Sequence, residues 1–94
     1  MQIIIRFPEP SGPAGKLADA ELHFTDGPLT GLKLVGFGVW ERGDHVRRVT
    51  VPTRQYSING ERRSFSLLRP AADRASTESL RQAILDAYDR EVAQ

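Results

Sequence analysis

Guanidinium groups present a fixed fork of donors to phosphate and stack on flat rings. Seven arginines, Arg42, Arg47, Arg48, Arg54, Arg62, Arg63 and Arg69, fall between Glu41 and Asp73 against four acids, with Tyr56 among them. Arg47, Arg48, Arg54, Arg62 and Arg63, with Tyr56 as a stacking platform, form the candidate nucleic-acid-binding set, suited to a phosphate backbone. The same pattern also fits a solvated charged face, because the chain carries eleven arginines to two lysines throughout.

Other chemistry has little to stand on. His23 and His45 lie far apart with no cysteine and no histidine or aspartate at ligand spacing, so no metal site is expected. Ser57, Ser64, Ser66, Ser76 and Ser79 occur without a nucleophile elbow. Gly36-Phe37-Gly38 lacks the third glycine and the helix start of a phosphate-cradling loop. The expectation is a protein that is not an enzyme, with no cofactor, no metal and no evident small-molecule substrate.

Ninety-four residues allow one domain with a modest core. Hydrophobic residues at 39% and charged residues at 27% suit a folded globular chain of net charge +1. With no cysteine to staple it, stability must come from packing or from a partner subunit, and a homodimer is expected. No apolar run is long enough to span a membrane, and the N-terminal segment reads as a strand and not a leader, so a cytoplasmic location is expected.

Gln2 to Phe7 reads as a strand, ended by a loop over 8–15 rich in proline and glycine. Lys16 to Phe24 alternates, with Ala18, Ala20, Leu22 and Phe24 on one face and Leu17 on the other. Leu29 to Trp40 is apolar on both parities, Val35, Phe37 and Val39 against Leu32, Leu34 and Trp40, which predicts a strand covered on both sides. Gly31, Gly36 and Gly38 within it predict a bulge or strong coiling. Val46 to Val51 is a further strand, closed by Pro52.

Asn59-Gly60 is the strongest short hairpin signal, joining a segment with Tyr56 and Ile58 to Glu61–Leu68, where Phe65 and Leu67 are expected to face inward. Ser76 or Thr77 is the expected cap of a helix over 77–92, whose apolar stripe is Leu80, Ala83, Ile84, Ala87, Tyr88 and Val92. The fold class is therefore α+β: a meander-like antiparallel sheet of about four to five strands with one C-terminal amphipathic helix packed on it.

Val51-Pro52-Thr53-Arg54, the Asn59-Gly60-Glu61-Arg62-Arg63 hairpin and the Leu80–Tyr88 helix, in this order after two strands, resemble the sporulation stage V protein G family of small bacterial regulators. The resemblance runs over almost the whole chain, 1–94. It implies a small α+β domain that dimerises through its sheet and binds DNA or RNA with modest sequence preference. The alternative is a protein-interaction or assembly module in which the same face, with Tyr56 and Trp40, meets a protein.

Overall fold

A computed structural model describes residues 1–93. Four strands, β1 (Gln2–Arg6), β2 (Lys16–His23), β3 (Lys33–Glu41) and β4 (Arg47–Thr50), form one antiparallel meander in chain order. After Pro52, which cannot donate to a ladder, β5 (Thr53–Ile58) and β6 (Glu61–Ser66) pair only with each other as a separate ribbon. One helix among the described residues, α1 (Ala75–Val92), follows. The fold class is the α+β arrangement that the sequence patterns predict, with the hairpin as a second sheet.

One face of the meander supplies the core. Ala18, Ala20, Leu22, Phe37, Val39 and Val49 from the sheet and Ile84 from the helix form a single buried cluster, with Ile3, Ile5, Leu80, Leu85 and Tyr88 packed around it.

Two bulges shape this sheet. Ala20 opposes Phe37 and Leu22 opposes Leu34, so β3 carries an extra residue between them. Gly36 takes φ +109° there, a conformation that side chains rarely adopt. The bulge resets the alternation: Leu34 and Phe37, of opposite parity, both pack on the core, and Val35 is thrown outward at 51% exposure. In β2, Lys16 opposes Trp40 and Ala18 opposes Val39, and the extra residue, Leu17, turns in against the core instead of away from it.

Extra residues on β2 and β3 increase coiling, and the two edge strands converge on the helix. The Phe7 ring, just past β1, lies 6.2 Å from the Tyr88 ring. From β4, the Arg47 guanidinium sits 5.9 Å over the same ring and forms an ion pair with Asp89.

Three expectations are corrected. The strand expected over Leu29–Trp40 begins at Lys33, with a turn before it, and it is not covered on both sides: Val35 within it is 51% exposed, because the helix occupies one face only and the ribbon meets the other only near Pro52. The helix is not capped by Ser76 or Thr77. Arg74 already has helical dihedrals, and Asp73 Oδ1 accepts from the Ala75 backbone N–H at 2.9 Å, satisfying a free amide two residues before the expected start. Val92 leaves the stripe at 55% exposure, beyond the sheet, while Leu85 joins the core margin.

On the outer face, Glu21 is surrounded by basic groups: His23 Nε2 at 3.0 Å, Arg6 Nε at 3.0 Å and Lys33 Nζ at 3.4 Å. Hydrogen bonds from His23, then Arg6 and Lys33, hold its carboxyl down at about 2.

Two measurements follow. Ile84→Ala is expected to cost about 2–5 kcal/mol in denaturant melts, and Val92→Ala within about 0.5 kcal/mol of nothing; Asp89→Ala, removing a half-exposed ion pair, should cost about 1 kcal/mol or less. Because Glu21 has a lowered folded pKa, its contribution is present above its unfolded value of 4.5 and lost as pH falls towards 2. Glu21→Gln should therefore flatten the acid limb of the stability curve across that window.

Candidate nucleic-acid interface

The Asn59-Gly60 turn sets the ribbon. Asn59 at φ 52° and Gly60 at φ 82° both occupy the left-handed region that a type I′ turn requires, and a two-residue loop fixes the pairing of everything behind it. Ile58 opposes Glu61, Tyr56 opposes Arg63 and Arg54 opposes Phe65 on one face; Ser57 opposes Arg62, Gln55 opposes Ser64 and Thr53 opposes Ser66 on the other.

The ribbon therefore has two unlike faces. On the first, each aromatic faces an arginine across the ladder, and the two aromatics meet on the diagonal. The Tyr56 and Phe65 rings lie 5.7 Å apart at an interplanar angle of 57°. Arg69, just beyond β6, places its guanidinium 5.7 Å over the Phe65 ring. Tyr56 and Phe65 remain 39% and 37% exposed, and Ile58 and Leu67 are open to solvent. The second face carries hydroxyls, an amide and Arg62.

Phe65 and Leu67 thus do not face a core, contrary to expectation. The physical reason is the break at Pro52: the ribbon does not continue the meander, so nothing lies over it. Its protrusion shows in a radius of gyration of 14.7 Å, against about 12 Å for a compact chain of this length.

The six candidate residues separate. Arg54, Tyr56 and Arg63 share the aromatic face, and Arg62 points to the opposite one. Arg47 lies on the helix side of the meander, where hydrogen bonding to Asp89 raises its pKa. Arg48 donates to Asp44 at 2.7 Å; that bond raises the Arg48 pKa and, with the Val46 backbone N–H, lowers that of Asp44. Both are committed to intramolecular partners. Arg63 has a weak one in Glu61 at 3.2 Å, whereas Arg54, Arg62 and Arg69 make no ion pair among the described residues.

Sequence reasoning left out Arg69 and assigned Phe65 elsewhere. Arg63, Phe65, Leu67 and Arg69 share one parity, and counting outward from Asn59-Gly60 puts Tyr56 diagonal to Phe65, so the signal was present.

A concavity of about 540 Å³ lies where the ribbon meets the outer face, lined in part by Lys16, Trp40, Pro52 and Leu67. It is a joint more than a binding site. A Cβ on Gly38 would stand 2.5 Å from Trp40 Nε1, and one on Gly36 would stand 3.1 Å from the Pro52 Cβ, so the two glycines seat the indole and the proline. Trp40 Nε1 donates to Thr50 Oγ1 at 3.0 Å, and Lys16, which lies over the indole, pairs with Asp19. No charged group there is left seeking a partner.

No protein-family model, curated protein or solved structure matches the chain. Among the described residues, no helix is long and apolar enough to cross a membrane.

Proposed function

We propose that the protein is a small, non-enzymatic nucleic-acid-binding regulator that acts as a homodimer and holds its ligand on the aromatic face of the β5–β6 ribbon. One observation carries this reading: Arg54, Arg63 and Arg69 flank an exposed Tyr56–Phe65 pair, and Glu61 is the only acid between Arg54 and Arg69. Exposed arginines beside stacked rings are the combination that takes a phosphate backbone and its bases together. The resemblance to the sporulation stage V protein G family points the same way.

This assignment moves the site from the set suggested by sequence. Arg47 becomes structural, Arg48 is paired with Asp44 at the surface, Arg62 lies on the opposite face, and Arg69 and Phe65 enter. Support for a dimer comes from the apolar residues that one helix leaves uncovered, Leu29, Leu32 and Val35 among them, each about half exposed or more.

Fluorescence anisotropy with a labelled oligonucleotide across a salt series tests the reading. Affinity should fall with salt at a log–log slope of about 0.7 to 0.9 per phosphate neutralised. Replacing Arg54, Arg63 and Arg69 by alanine should abolish binding without moving the melting curve, since exposed arginines contribute little to stability. Arg47→Ala should lower the melting temperature and leave binding intact. Absence of binding by wild type at about 50 mM salt overturns the reading and favours a protein partner for this face. Light scattering at tens of micromolar should give twice the chain mass; a monomer refutes the dimer.

A further inference from the structure

We propose that the ligand of the ribbon is single-stranded, with bases stacked on Tyr56 and Phe65 and the adjoining phosphates held by Arg54, Arg63 and Arg69. The inference rests on the nucleic-acid reading above and narrows it.

The two faces of the ribbon make different demands. A two-stranded ribbon enters the major groove of a duplex when its groove-facing side chains hydrogen-bond to base edges. Gln55, Ser57, Arg62 and Ser64 are of that kind, but Arg62 is the only cation on their face within β5 and β6. The aromatic face holds both exposed rings and the other cations. Rings need the flat side of a base, which a duplex keeps covered by its own stacking and a single strand leaves free.

The geometry leaves those rings usable. They are tilted at 57° to one another, so neither covers the face of its partner, and each keeps more than a third of its surface open. The Arg69 guanidinium lies over the Phe65 ring at 5.7 Å, and Arg63 stands opposite Tyr56, which puts a cation at each ring. A second copy of the chain is a poor occupant for this face, because apposing two such faces would bring six arginines together against two Glu61 side chains.

The experiment compares three probes of equal charge-bearing length, about 12 nucleotides, with wild-type protein: oligothymidylate, an abasic oligomer of the same sugar and phosphate, and a duplex. Oligothymidylate is expected to bind about fivefold or more tightly than the abasic oligomer, and more tightly than the duplex. The Tyr56→Leu/Phe65→Leu variant, which keeps apolar bulk on the ribbon, should bind oligothymidylate only as well as the abasic oligomer, while its affinity for the abasic probe stays unchanged. Equal wild-type affinity for the abasic and thymidine probes, or preference for the duplex, overturns the stacking proposal and leaves nucleic-acid binding standing. Failure to bind any of the three removes the reading beneath it as well.

Discussion

One helix has to cover a four-stranded sheet, and the rest of the structure follows from how that is managed. A flat meander would leave its edge strands outside the shadow of a single helix. Here the extra residues at Leu17 and at the Val35–Gly36 step coil the sheet, so that Phe7 and Arg47 reach Tyr88 from opposite edges. Ala18 and Ala20 of β2 lie in the same buried cluster as Ile84, which is fully buried. Arg47, which reads as a nucleic-acid contact from composition alone, is used up in closing this structure. An arginine over a ring and paired with a carboxylate is already satisfied, and pulling it away to bind phosphate would expose the helix margin.

The ribbon obeys the opposite constraint. Pro52 denies it a place in the meander, so it has neither a neighbouring strand nor a helix above it, and its apolar side chains stay in water. A two-stranded ribbon on its own is marginal, and this one is held by its ladder, by the Tyr56–Phe65 ring contact and by its anchorage at both ends. The exposed rings therefore serve the ribbon itself. Around those rings Arg54 and Arg69 form no ion pair among the described residues, and Arg63 has only Glu61 at 3.2 Å, which is what separates this proposed site from Arg47 and Arg48.

Much of this was legible in the residues. The alternation of Ala18, Ala20 and Leu22, the Asn59-Gly60 turn, the break at Pro52 and the helical stripe through Ile84 each follow from a local rule, and together they give the α+β arrangement. The failures have a common cause. Alternation assigns faces only while the register is unbroken, and the bulges at Leu17 and Gly36 reverse it, which is why Leu17 and Leu34 were placed on the wrong side. Phe65 was misplaced for a different reason: periodicity shows which residues share a face but not whether anything lies over that face. Arg47 and Arg63 look alike in sequence, and only the position of Asp89, forty-two residues further on from Arg47, tells them apart.

The joint between the two parts is small. Pro52 rests against the bare backbone of Gly36, and the Leu67 N–H donates to the Pro52 carbonyl at 2.8 Å. So narrow a connection gives the chain two levels of cooperativity: amides buried between sheet and helix exchange with solvent only when the whole core opens, whereas those of β5 and β6 exchange through local opening that leaves the core intact. The same separation frees the hairpin as evolutionary material. Residues can be added beside Asn59-Gly60, or the outward side chains exchanged, with no term in the packing of Ile84 altered, so the part of the molecule that meets the outside can change without the fold having to be found again.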